Sequence, residues 1–161
     1  FEEIESSGKD LNLKFYGARA LMSLRLEKNW GAWTLDFRPD FTAAESGLDI
    51  FINWNKDFVG KEASLNEKKQ GIKKKLVTMT IDTKDIDVSN DEAILKDNKC
   101  VGYITSGGYA HHSKKSMALG YAPLELSKHE TSLDVEINGN LYKAHVTDRP
   151  LYDANGGKMK S

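Results

Sequence analysis

Residues 16–36 read YGARALMSLRLEKNWGAWTLD, from Tyr16 to Asp36. Ala18, Ala20, Leu21, Met22, Leu24, Leu26 and Lys28 are good helix formers with no proline among them, which predicts a helix from about Tyr16 to Lys28. Ala18, Leu21, Met22 and Arg25 recur at three- and four-residue spacing, so they share one face, and apart from Arg25 that face looks made for a core. A charge on such a face needs a partner. Glu27 is two residues away and points elsewhere, so it is expected to engage a different segment. Two readings of Arg25 stand side by side: a structural ion pair that clamps the helix to its neighbours, or a helix end that borders a ligand pocket.

Trp30 and Trp33, with Gly31 between them, follow the predicted helix end. Rings in such a place close a core, or one of them stacks on a planar heterocycle.

The 161 residues suffice for one ordinary domain, or for a compact domain with a piece of another. A formal net charge of -1, from 23 basic and 24 acidic residues, provides no global field for nucleic acid or an anionic membrane. The single cysteine, Cys100, excludes an intrachain disulfide framework, and its strand-like surroundings predict a small buried thiol. No apolar run approaches the roughly 18 residues that cross a bilayer. A cytoplasmic protein, or a mitochondrial matrix protein in a eukaryote, is the expectation. The chain opens at Phe1 without an initiator methionine, as after processing or a cut.

Thr42–Gly47 reads as a short acidic turn, Leu48–Trp54 alternates like a strand, and Gly60–Gln70 reads as a polar helix stopped by Gly71. This helix, strand, helix unit has too little material to close a core of its own, and it looks like the tail of a larger α/β domain. From Lys75 the pattern changes. Leu76–Ile81, Glu92–Leu95, Cys100–Ser106, Met117–Tyr121, Ser132–Ile137 and Leu141–Val146 read as short strands, with hairpin turns at Lys96–Lys99 and at Asn138-Gly139. Six antiparallel strands suggest a small barrel or sandwich, and the expected fold class is α+β with a small antiparallel β-barrel of about six strands. The expected division is residues 1–72 and 73–161. Thr105-Ser106-Gly107-Gly108 lacks the Lys-Ser/Thr ending of a phosphate loop and is expected to shape a bulge or a tight turn. His111 and His112 are adjacent without the spacing of metal ligands, and His129 and His145 have no visible partner for nucleophilic catalysis, so neither a metal nor a catalytic residue is predicted.

Seven segments in order carry a resemblance. They are Ser23-Leu24-Arg25-Leu26-Glu27-Lys28, Thr42-Ala43-Ala44-Glu45-Ser46-Gly47-Leu48, Asp57-Phe58-Val59-Gly60-Lys61-Glu62-Ala63, Val101-Gly102, Thr105-Ser106-Gly107, Ala118-Leu119-Gly120-Tyr121 and Gly156-Gly157-Lys158-Met159. Together they resemble the C-terminal portion of the dimethylglycine and sarcosine dehydrogenase group, whose folate-binding part is similar to the glycine-cleavage aminomethyltransferase, or T-protein. The resemblance implies that residues 1–72 end a folate-binding domain and that residues 73–161 form its C-terminal barrel. In that family a flavin domain oxidises an N-methyl group to an iminium, and tetrahydrofolate in a separate chamber captures the one-carbon unit. It also implies that FAD sits on an upstream domain, because no dinucleotide fingerprint and no folate-side aspartate occur in these residues. Taken alone, the stretch is expected to bind no flavin and to be inactive.

In aminomethyltransferases a pterin-contacting arginine usually stands where this chain has Leu21. An aromatic or apolar residue stands where Trp30 is, and in some members it touches the folate. Trp30 and Arg25 are therefore the candidate folate-side residues implied by the resemblance. The family often has glycine where Asn29 and Thr34 stand and proline where Ala43 stands, so the tryptophan loop is expected to differ in shape. Gly156-Gly157-Lys158 is either a docked or flexible terminus or a contact to the folate tail. Two alternatives remain open: an aminomethyltransferase that needs a lipoyl carrier protein and no flavin, or a non-catalytic folate-binding protein that assists iron–sulfur enzymes.

Overall fold

Two two-residue turns set the strand register in the second half of the chain. Asp97 and Asn98 have φ of 50° and 61°, and Asn138 and Gly139 have 49° and 78°, the left-handed pairs that a type I′ hairpin requires. They join β2 (Ala93–Lys96) to β3 (Lys99–Ala110) and β5 (Ser132–Ile137) to β6 (Asn140–Thr147). With β1 (Lys74–Ile81) and β4 (Lys115–Pro123), the strands pair antiparallel in the order β1-β4-β3-β2-β5-β6, and β6 returns to β1 to close the barrel. The structure, a computed structural model, describes residues 1–160; Ser161, the last residue of the expected second domain, lies outside them. All six expected strands are present, and β3 runs on past Ser106 to Ala110.

The barrel interior is filled by alternate residues: Met79 on β1, Ile94 on β2, Ile104 on β3, Ala118 on β4, Leu133 and Val135 on β5, and Ala144 and Val146 on β6. Gly120 permits the close approach of β3 and β4, since a Cβ there would meet Tyr103 O at 2.6 Å and Ile94 Cδ1 at 2.9 Å. Residues 116–122 of β4 are buried on both faces. The outer face is covered by a helix.

That helix is α2 (Ala18–Glu27), which follows α1 (Glu2–Gly8). The polar opening stretch thus forms a helix of its own, with Glu2, Glu3 and Glu5 in the first turn, where the helix dipole favours acids. α2 docks through Leu26, 1% exposed, into a second apolar cluster with Ala110, Met117 and Leu119. The expected core face of this helix is corrected accordingly. Of the expected face, Ala18 and Leu21 are exposed, Leu21 at 48%, Met22 is half-buried and Arg25 is buried; Leu26 and Glu27 are buried beside it, because the side turned to the barrel is the one that carries Leu26.

α3 (Lys61–Gln70) starts at Gly60, at φ 87°, and ends at Gly71, as expected. The strand expected at Leu48–Trp54 is absent. Asp49–Phe51 forms a single 3-10 turn, and the closed barrel offers no free edge for an added strand. Cys100 is exposed rather than buried: it sits at the first turn of β3, directly after the Asp97-Asn98 hairpin. No helix among the described residues is long and apolar enough to cross a membrane.

The docking of α2 gives a direct check. Leu26→Ala is expected to destabilise the protein by about 2–5 kcal/mol in denaturant unfolding, as buried leucine truncations do. A loss below about 1 kcal/mol would contradict the packing described.

Candidate functional site

Arg25, on the last turn of α2, finds its partner eleven residues later. Its Nη1 donates to Asp36 Oδ2 at 2.8 Å and to Trp30 O at 3.2 Å. Asp36 is 0% exposed, and a buried carboxylate is stable only when paired and fully hydrogen-bonded. Four donors meet it. Besides Arg25 they are the backbone amide of Ala32, to Oδ2 at 2.7 Å, and the hydroxyls of Ser106, to Oδ1 at 2.7 Å, and of Thr105, also to Oδ1.

The two hydroxyls come from an irregular stretch of β3. Pairing with β4 shifts register between Ile104 and Ser106, a β-bulge that turns Thr105 and Ser106 toward the same carboxylate. The glycine-rich segment thus shapes a bulge, as expected. A third hydroxyl fastens the backbone. Tyr121 Oη donates to Asp36 O at 3.0 Å, which leaves Ser46 Oγ, 2.7 Å away, as the donor to Tyr121. Burial pushes the Tyr121 phenol up to about 12, with the Ser46 hydrogen bond acting against it. It stays protonated and can donate throughout the neutral range. Phe41 stacks on its ring at 3.4 Å between centroids.

Asp36 also folds the tryptophan loop. Asp36 N and Phe37 N both donate to Ala32 O, and Thr34 N donates to Phe37 O. Trp33 forms a parallel bridge with Phe37. Phe37 is buried, and both indoles meet its ring edge to face, Trp30 at 6.1 Å and Trp33 at 5.7 Å. Gly31 is required by contact, since a Cβ there would lie 2.6 Å from Phe37 Cζ. The result is an aromatic platform with Trp30 51% and Trp33 77% exposed. Phe51 of the 3-10 turn meets Trp30 at 6.2 Å, and the neighbouring Ile50 lines a cavity of about 620 Å3 between this turn and α3.

The expected glycine positions explain the loop's shape. Asn29 and Thr34 have φ of 53° and 68°, the left-handed conformation that glycine adopts freely. Both positions therefore adopt a conformation that suits glycine, the residue the family often has there. Asparagine tolerates this region, whereas for the β-branched Thr34 it is a strained conformation.

Arg25 and Trp30 are brought together by the Arg25 Nη1 bond to Trp30 O, and the ion pair needed by Arg25 is present. Glu27 engages other segments, as expected. It is 2% exposed; its Oε1 accepts from His112 N at 2.8 Å and Ser113 N at 3.1 Å, and its carbonyl accepts from Tyr152 N at 3.2 Å. Lys28 Nζ adds a bond to Asp153 O at 2.7 Å, so the terminal segment before Gly156 is docked on the end of α2. His111 and His112 lie in the turn after β3 rather than along a strand, with the His112 ring against Tyr152. No group of three metal-ligating side chains occurs among the described residues. Sequence reasoning missed Asp36, Thr105, Ser106 and Tyr121 as members of this site. The one available signal was that Arg25 lacked a partner of its own.

Residues 1–56 match the GCVT N-terminal domain and residues 74–153 match the glycine cleavage T-protein C-terminal barrel domain. The chain belongs to the glycine cleavage T-protein family. Among its relatives, the mitochondrial dimethylglycine dehydrogenase of Mus musculus is 38% identical over 153 residues, covering 94% of this chain and 18% of the relative. The aminomethyltransferase of a Picosynechococcus species is 35% identical over 141 residues, covering 86% of this chain and 39% of the relative. The crystal structure of the glycine cleavage system aminomethyltransferase T from Bartonella henselae shares the fold, with a TM-score of 0.85, 23% identity and coverage of 95% of this chain and 44% of that one. The chain therefore spans less than half the length of each.

Thr34→Gly is expected to raise stability by up to about 1 kcal/mol, the relief of the left-handed strain less the entropy cost of glycine. Paired thermal melts of the two proteins check it. A destabilised Thr34→Gly protein would show that the threonine side chain contributes more than its backbone costs.

Proposed function

We propose that this chain is the folate-side C-terminal portion of a flavin-dependent N-demethylating dehydrogenase acting on dimethylglycine or sarcosine, in which tetrahydrofolate accepts the one-carbon unit. The observation that carries this reading is the exposed indole of Trp30, held on a buried aromatic and ionic base at the position where the family resemblance puts a folate contact. Two further features support it. Arg25 Nη2 is buried with no acceptor among the described residues, so the guanidinium has a donor to spare beside the platform. Leu21 stands exposed on α2 where an aminomethyltransferase would present a pterin-contacting arginine. The 38% identity to dimethylglycine dehydrogenase extends over nearly the whole chain.

Tetrahydrofolate, when bound, supplies the nucleophilic amine that takes up the one-carbon unit. The residues of this chain bind and position it. Trp30 offers a flat apolar face, and Arg25 fixes the backbone that carries it through its bond to Trp30 O. FAD belongs to a part of the protein other than these residues, which hold no dinucleotide-binding glycine fingerprint. The location proposed with this function is the cytoplasm, or the mitochondrial matrix in a eukaryote, as the relatives named mitochondrial support. The aminomethyltransferase reading rests on the 35% identity to that enzyme, and it predicts a requirement for a lipoyl carrier protein in place of flavin.

Trp30→Ala in the intact protein tests the reading. Loss of one stacking face is expected to weaken tetrahydrofolate binding about tenfold, equivalent to about 1.4 kcal/mol, in titration calorimetry. Unchanged affinity removes Trp30 from the site.

A further inference from the structure

The tryptophan loop is strained, and the side chains that hold it are buried against the barrel wall. Thr34 sits at φ 68°, and the rings of Trp30 and Trp33 are turned to solvent. A loop with those properties stays in one shape only where surrounding contacts over-determine it. Here the contacts converge on one side chain. Asp36 Oδ2 takes Ala32 N from the loop and Arg25 Nη1, which in turn holds Trp30 O. Asp36 Oδ1 takes the hydroxyls of Thr105 and Ser106 from the β3 bulge. One oxygen faces the loop and the other faces the barrel.

We propose that Asp36 is the positioning residue of the ligand site, transmitting the fixed geometry of the β3 bulge through its carboxylate to the Trp30–Trp33 loop. This rests on the reading of Trp30 as a folate contact. The role assigned is to hold the indole at the angle and height at which a planar ligand meets it. Thr105 is the informative lever, because its hydroxyl bonds the oxygen remote from the loop. The same hydroxyl lies 3.2 Å from Leu119 O, so Ser106, whose hydroxyl bonds Asp36 Oδ1, is the companion lever that reaches the loop through Asp36. The barrel thereby takes a part in ligand binding beyond packing, since the register shift between Ile104 and Ser106 aims both hydroxyls at one carboxylate.

The test is carried out on the intact protein with Thr105→Val, which removes the hydroxyl at nearly constant volume, and with Thr105→Ser, which restores it. Hydrogen exchange read by mass spectrometry follows the segment 30–37, and titration follows tetrahydrofolate. Thr105→Val is expected to speed exchange in that segment about fivefold, leave the β5–β6 hairpin unchanged, and weaken tetrahydrofolate about threefold or more, the scale of one buried hydrogen bond. Thr105→Ser brings both back toward the parent values. If Thr105→Val does not fold, Ser106→Ala removes the other hydroxyl on Oδ1 and is read in the same way. Unchanged exchange in segment 30–37, or acceleration shared equally by the β5–β6 hairpin, overturns the positioning role. Faster exchange of the loop with unchanged tetrahydrofolate affinity overturns the ligand reading of Trp30, and so separates the two failures.

Discussion

The buried ion pair between Arg25 and Asp36 is the constraint on which the rest of the arrangement depends. Neither group can be buried alone, and their attraction offsets the loss of water because further hydrogen bonds surround the Asp36 carboxylate. Those bonds come from the tryptophan loop through Ala32 N and from the β3 bulge through Ser106 and Thr105, while β4 holds the Asp36 backbone through the Tyr121 hydroxyl on its carbonyl. Local structure, tertiary packing and the candidate site therefore share a single set of contacts. The apolar docking of Leu26 brings α2 to the barrel, and the ionic network fixes how it sits there.

This joint also accounts for the sharp contrast between the two parts of the chain. The barrel buries its strands and closes on itself, so it has an interior of its own. Residues 1–72 leave many large apolar side chains in solvent, among them Phe15, Leu21, Trp30, Phe51 and Val59. They are held in place by contacts with the barrel wall and among the loops, such as Ser23 Oγ on Tyr109 O and Leu76 N on Glu45 O. A platform that presents Trp30 and Trp33 to solvent needs that external support, since it buries little beneath itself except Phe37.

How much of this was legible in the sequence follows from the range of each interaction. The strands were readable because alternation and two hairpin turns are local signals, while the choice of a closed barrel over a sandwich came from the strand order. The need of Arg25 for a partner was legible from its place on an otherwise apolar face. The identity of the partner was not, because Asp36 lies beyond a loop and two of the hydroxyls that complete its shell come from Thr105 and Ser106, some seventy residues on. Leu48–Trp54 misled through alternation alone: Leu48, Ile50, Ile52 and Trp54 repeat every second residue, yet a strand also needs a neighbour, and the closed sheet has none to offer. The helix face misled for a related reason. A three- to four-residue spacing identifies an apolar stripe without saying which of two stripes turns toward the barrel, and Leu26 decided it. The family resemblance named Trp30 and Arg25; their contact with each other, through Trp30 O, came from the fold.

The central claim is that Asp36 joins the barrel bulge to the end of α2, so that Arg25 and Thr105 are coupled although they bond opposite oxygens of that carboxylate. A double-mutant cycle on stability with Arg25→Met and Thr105→Val measures it most directly. A coupling energy of about 1 kcal/mol or more is expected. Additivity of the two substitutions within about 0.5 kcal/mol would contradict it.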